Sequence, residues 1–321
     1  MTTVDTASKS VNVKSLLSKY AIVWVTILVF IFLSASTDAF LSIDNLRNIL
    51  DQQSVVLIVA AFTTIVLISG GFDVSLGAIY ILAPLVALRV QNNINSAWLT
   101  LLAGILVGLI TGLLNGVIVA YGKINSFIAT LATSFIFFGI AYLVSDGTIL
   151  RVTDINMRKV ATTHILGLTS ATWIAFLVIA IAWILLDRTR FGRYIFSVGG
   201  NFEAARLAGV RTNRVVVAAF VLAGAGAGLA GTLNSIRSVT AQASDDFSII
   251  FSVIAAVVVG GTSIAGGSGA IWRSVVGVFF IAFIVNGFNL NGVDPVYQRI
   301  IQGAVILTAV GADAWSRRDK S

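Results

Sequence analysis

Ten apolar stretches, the longest running from residue 97 to 121, divide this chain, and short polar breaks separate them. A helix needs about 20 apolar residues to cross a bilayer, and in lipid it satisfies its backbone polar groups internally. A chain patterned this way is expected to fold as an all-α, polytopic membrane helical bundle of about ten transmembrane helices. The side-chain balance agrees, since 57% of the 321 residues are hydrophobic and 11% are charged, against about 25% charged in soluble domains. The runs lie at 20–33, 54–69, 74–90, 97–121, 126–144, 168–186, 214–233, 248–265, 271–290 and 295–313. The first is read as an uncleaved span rather than a signal peptide, because no small-x-small cleavage site follows it cleanly. No linker, low-complexity tract or large loop interrupts the pattern, so residues 1–321 read as a single transmembrane domain, with 1–19 as a polar N-terminal segment.

An even number of spans puts both termini on one side, and Lys and Arg mark the inside. With the N-terminus inside, fourteen of the twenty-one Lys and Arg residues fall on inner segments, including Lys123, Arg188, Arg190, Arg193, Arg206, Arg211, Arg214 and Arg273. The outer segments hold Arg47, Arg89, Arg151, Arg158, Lys159, Arg237 and Arg299, together with acids such as Asp51, Asp146 and Asp246. Both termini are therefore expected in the cytoplasm. Trp24, Trp98, Trp173, Trp272 and Trp315 stand near span ends, as interfacial anchors do. The net charge of +7 follows from this topology, and no aromatic-interleaved basic patch points to nucleic acid. With no Cys and one histidine, His164, thiolate and multi-histidine metal sites and Cys/His nucleophilic catalysis are excluded. No cofactor is expected to bind directly.

Gly104, Gly108, Gly112 and Gly116 recur every four residues and line one helix face, a pattern that lets a second backbone approach closely. The partner is expected within the subunit, with a subunit–subunit seam as the alternative. Gly224 and Gly228 repeat the spacing in the seventh run. Pro84 is expected to kink the third span. Gly70-Gly71 and Gly260-Gly261 each close an apolar run on the inner side, a weak self-similarity.

The longest inner break, 187–213, contains Gly192, Arg193, Gly199 and Gly200, then Asn201, Glu203, Ala204, Ala205 and Gly209. It predicts a short amphipathic helix. Asn201 caps it, Glu203 sits in the first turn where the helix dipole favours an anion, and Gly209 stops it in a left-handed conformation.

Glu203-Ala204-Ala205, three residues, then Gly209 resembles the coupling-loop signature of ABC importer permeases. Gly70-Gly71-Phe72-Asp73-Val74-Ser75-Leu76-Gly77 resembles the Gly-Gly-Ile-Asp-Leu-Ser-Val-Gly segment of the ribose-type monosaccharide permeases, the group that includes branched-chain amino acid permeases. Lys123-Ile124-Asn125-Ser126-Phe127-Ile128-Ala129-Thr130-Leu131 is similar to their Lys-Ile-Pro-Ser-Phe-Ile-Ala-Thr-Leu, and Gly260-Gly261-Thr262-Ser263 to their Gly-Gly-Thr-Ser. The resemblance covers about 45 to 310. It implies the ten-helix fold of the cobalamin-importer class in a bacterial inner membrane. It also implies a dimer with a second copy or paralogue, two cytoplasmic ATPase subunits that use ATP and magnesium, and a periplasmic sugar-binding protein. The permease itself would catalyse no reaction; residues 187–213 would be its coupling loop. Asn125 stands where the family usually has Pro, Ala132 where it has Gly, and Arg273 where a small Gly is common. The first two are expected to loosen the turn before the fifth span.

On this reading Gly192, Arg193, Gly199, Gly200, Glu203, Ala204, Ala205 and Gly209 engage the ATPase. Gly70, Gly71, Asp73, Ser75, Asn125 and Ser126 belong to a gate on the inner side, although Asp73 reads more readily as a helix cap. A neutral sugar needs uncharged hydrogen-bonding groups beside an apolar face, which Asn115, Phe127, Thr130, Asn286 and Asn289 supply within or near spans. Outer cations such as Arg151, Arg158 and Lys159 offer docking contacts for a binding protein, or are simply solvated. A nucleoside, a furanone signal or a branched-chain amino acid is the alternative cargo. An ion-coupled carrier fits less well, because such carriers bury acids at mid-membrane and these spans are nearly free of them.

Overall fold

The computed structural model describes residues 20 to 307 apart from 95, 299, 302, 305 and 306. Seven helices are long and apolar enough to cross a membrane. They are α2 (Ile43–Ile68), α3 (Ser75–Ile94), α4 (Ala97–Gly122), α5 (Ser126–Ser145), α7 (Ser170–Arg188), α10 (Thr212–Ser238) and α12 (Ile271–Leu290). Two shorter apolar helices join them, α1 (Ala21–Ser36) and α11 (Ser248–Val259). Short helices lie between them, α6 (Lys159–Thr162), α8 (Arg190–Gly200) and α9 (Phe202–Leu207). The chain is an all-α, polytopic membrane protein. The 1–19 segment and most of the 295–313 run lie outside the described residues.

Most of α2, α3 and α10 is buried, and these three form the centre of the bundle. Helix α3 runs unbroken through Pro84, whose ring is buried. Helices α4, α5, α7 and α12 bury one face and present apolar side chains such as Leu106, Ile110, Ile136 and Leu177 outward, as lipid-facing helices do. The glycine face of α4 packs on α10 inside the same subunit. A Cβ at Gly108 would overlap the Gly224 carbonyl oxygen, one at Gly112 would lie 2.5 Å from that of Phe220, and one at Gly104 would overlap the Thr232 hydroxyl. The seam is internal, and the subunit–subunit alternative for this face falls.

Charged loops gather at the two ends of the bundle. At one end Arg89 pairs with Asp146 at 2.6 Å and Arg237 with Asp51 at 3.5 Å. There the 145–167 segment is structured. Its strand β1 (Leu150–Arg151) pairs antiparallel with β4 (Thr240–Ala241), Leu150 opposite Ala241. A tight antiparallel pair, β2 (His164–Ile165) with β3 (Leu168–Thr169), follows a 3₁₀ turn and α6. At the other end lie the turns at 69–74 and 123–125, the α8–α9 pair and the 260–270 segment.

Candidate functional site

Two turns at that second end carry the candidate gate. Helix α2 ends in a left-handed glycine: Gly70 has φ +83°, its N–H reaches the Leu67 carbonyl at 2.9 Å, and the Gly71 N–H reaches that of Val66 at 3.0 Å. Helix α11 ends the same way, with Gly261 at φ +91°, its N–H on Val258 at 2.8 Å and the Thr262 N–H on Val257 at 3.2 Å. The self-similarity seen in the sequence is therefore shifted by one residue, since Gly70 matches Gly261 in geometry and not Gly260.

The start of α5 clamps the first turn. Ser126 Oγ accepts the Phe72 N–H at 2.9 Å, and Thr130 Oγ1 accepts the Val74 N–H at 3.1 Å while it bonds the Ser126 carbonyl at 2.8 Å. Phe127 sets its ring edge-on to Phe72, 5.7 Å between centroids. Asn125 holds this junction together rather than loosening it. Its φ of −52° lies within the range a proline would impose, and its Oδ1 accepts the N–H groups of Phe127 and Ile128 at 3.0 and 3.3 Å.

Beneath the turn, Asp73, Ser75 and Asn115 form a buried cluster. Asp73 Oδ1 accepts both the N–H (2.9 Å) and the hydroxyl (2.6 Å) of Ser75, and Asn115 Nδ2 donates to Ser75 Oγ at 2.5 Å. The capping role read from the sequence is thus occupied by one carboxylate oxygen. The other, Oδ2, and the Asn115 Oδ1 are buried with no hydrogen-bond partner among the described residues. Both turns open on one cavity of about 370 Å³, lined by Gly70, Gly71, Lys123, Asn125, Ser126 and Val216, with Phe202 of α9 as a further wall.

The 187–213 break folds as two helices, where the sequence predicted one. Thr189 caps α8, accepting the Gly192 N–H at 3.3 Å, and Asn201 caps α9, accepting the Ala204 N–H at 2.9 Å. Glu203 lies in the first turn of α9 and pairs with Arg206 at 2.7 Å on an exposed face. Ala205 is buried, Ala204 and Arg193 are exposed, and Gly209 takes φ +85°. The glycines earn α8 its place: a Cβ on Gly192 would overlap the Leu186 carbonyl, and one on Gly199 that of Ile68. A Cβ on Gly267 would lie 2.8 Å from Gly200 Cα. Helix α8 thus touches the gate turn and the 260–270 segment through bare backbone. Sequence reasoning missed Phe202 and Leu207. Phe202 lines the cavity and Leu207, 82% exposed, stands at the end of α9; an aromatic directly after the cap Asn201 was the available signal.

Asn286 and Asn289 do not join this site. Asn286 exchanges two hydrogen bonds with Asn45 (3.0 and 2.8 Å), tying α12 to the start of α2 at the opposite end, and Asn289 accepts from Gln298 at 2.9 Å. There too Arg158 lines a pocket with Arg47 and His164, whereas Arg151 lies in the β1–β4 ladder.

Residues 45–310 match the family described as the permease component of the branched-chain amino acid transport system. The chain belongs to this permease family. Among its curated relatives, the ribose import permease of Haemophilus influenzae is 36% identical over 85% of this chain and 86% of its own length. That of Escherichia coli K12 is 33% identical over 98% and 99%. The L-arabinose transport system permease of the same strain is 36% identical over 79% and 77%. No solved structure matches the chain. Membership makes the chain a multi-pass inner-membrane permease component and not an enzyme, one that works with separate ATPase and substrate-binding partners.

Proposed function

We propose that this chain is the membrane-spanning subunit of an ATP-driven importer that takes up a neutral monosaccharide delivered by a periplasmic binding protein. The observation that carries this reading is the contact of α8 with the gate. Gly199 rests on the last carbonyl of α2, Gly267 donates to that same carbonyl at 2.8 Å, and Phe202 of α9 walls the cavity between the two turns. A partner that seizes the exposed side of α8 and α9 therefore moves the gate. The relatives support the cargo, since they are named for ribose, L-arabinose and D-allose, all uncharged sugars.

In the full assembly the chain has about ten spans in a cobalamin-importer-like arrangement, both termini in the cytoplasm, and a second copy or paralogue beside it. The α8–α9 end faces the cytoplasm because inner segments carry fourteen of the twenty-one Lys and Arg residues. ATP and magnesium act in the ATPase, whose closure shifts the bundle between inward-open and outward-open populations. The test is uptake of labelled ribose, arabinose and allose into proteoliposomes, with the chain alone and with its ATPase and binding protein. Accumulation only with ATP and both partners is expected; ion-driven accumulation by the chain alone overturns the reading.

A further inference from the structure

We propose that an anionic phospholipid occupies a groove between α4, α7 and α10, its acyl chain along the helices and its phosphate between Arg211 and Arg214. The groove is a cavity of about 630 Å³ whose walls include Leu113, Val117, Leu185, Val217 and Val221. From Leu113 to Tyr121 it follows nine residues of α4, about 12 Å of helix. Phe191 and Arg214 line it at one end, and both also line a neighbouring pocket of about 390 Å³ with Tyr194, Gly209 and Arg211. The two spaces together have an apolar stem and a cationic head.

The charge at that head is unmatched. Arg211 is the N-cap residue of α10 and Arg214 lies in its first turn, where the helix dipole already presents positive charge. No side chain caps this helix and no acid stands in its first turn. Among the described residues neither arginine has an ion pair: Glu203 is taken by Arg206, and Asp187, just beyond Leu185, reaches neither. Two cations at the wrong end of a dipole, above an apolar groove on a lipid-facing side, call for a ligand that brings both phosphate and hydrocarbon. Basic pockets between membrane helices bind anionic headgroups on these grounds. The lipid would touch Phe191 and Tyr194 of α8 and the left-handed Gly209 after α9, steadying the helices that contact the gate.

The proposal rests on the chain spanning a membrane and not on the sugar it carries, so its test reads lipid and not transport. The full-length protein in detergent is given phosphatidylglycerol or phosphatidylcholine of identical acyl chains, and retained lipid is counted by native mass spectrometry. Phosphatidylglycerol is expected to be retained about tenfold over phosphatidylcholine, and to fall by about tenfold in Arg211→Gln/Arg214→Gln. It should fall also in Leu113→Trp, which fills the groove from its exposed side, and persist in the charge-matched control Arg188→Gln/Arg190→Gln. Equal retention of the two lipids by the unaltered chain overturns the proposal whether or not any variant folds. So does unchanged retention in the double arginine variant, or a dimer dissolved by Leu113→Trp with no lipid preference, which would give the groove to a second copy.

Discussion

Gly199 packs its Cα directly on the carbonyl oxygen of Ile68, so closely that a methyl group on Gly199 would overlap that oxygen. The same oxygen accepts the Gly267 N–H at 2.8 Å. Helix α8, the last turn of α2 and the 260–270 segment therefore meet backbone to backbone. Such contacts have no rotamers through which to yield, so a displacement of α8 passes to the gate turn at Gly70 without slack.

Gly199→Ala is expected to abolish ATP-dependent uptake, because the added carbon drives α8 away from Ile68 and Gly267. Its neighbour provides the control. Gly200 has nothing within 4 Å of where a Cβ would go, so Gly200→Ala should leave α8 seated on Ile68 and retain uptake that Gly199→Ala loses. Uptake in proteoliposomes, normalised to folded protein, separates the two.

At the end of α9 the expected failure is one of backbone conformation. Gly209 has open space around its Cβ position, but its φ of +85° costs a β-branched residue at least about 1 kcal/mol. Gly209→Val should insert normally and lose uptake. Glu203→Ala removes an exposed pair with Arg206, a type of contact worth between about 0 and 1 kcal/mol, so thermal stability should not change while recovery of the ATPase in a pull-down falls.

Gly108→Leu is expected to prevent the subunit itself from folding, because the side chain would have to enter the Gly224 backbone. Overpacking of a tight core costs about 1–3 kcal/mol or more. Gly139→Ala, at a site with nothing within 4 Å, should instead gain about 0.5–1 kcal/mol. Thermal unfolding in detergent and the yield of monodisperse protein report both.

Asn286→Ala should lower stability by about 0.5–1.5 kcal/mol through the lost hydrogen bonds to Asn45, whose amide keeps the Phe40 carbonyl, and leave sugar uptake per folded molecule unchanged. A large fall in transport affinity without loss of stability would return Asn286 to the translocation route.

The pattern of apolar runs was enough to place the seven helices long enough to cross a membrane, because lipid allows a backbone few alternatives, whereas the runs at 20–33 and 248–265 fold as shorter helices. Caps were legible for the same local reason: Asn201 and Gly209 act within a turn of their own position, whereas Asn125, expected to loosen its turn, caps α5 instead. Helix α8 was not, since Gly192, Gly199 and Gly200 argue against a helix by propensity, and Gly192 and Gly199 are kept there by close contacts with the end of α7 and with Ile68 and Gly267. The fold likewise hides in sequence the pairing of 150–151 with 240–241 and that of Asn45 with Asn286, which join residues far apart in the chain. The Asn286–Asn289 spacing was visible; its place at the opposite end from the gate was not.

The most direct test of the account is whether the cavity between the two turns changes with nucleotide. The chain has no cysteine, so Ser126→Cys, at the wall of that cavity, carries a single thiol. Its labelling rate is measured in the assembled transporter with binding protein present, with and without ATP. The account predicts strong labelling in one nucleotide state and protection in the other; equal rates in both would contradict a gate at this junction.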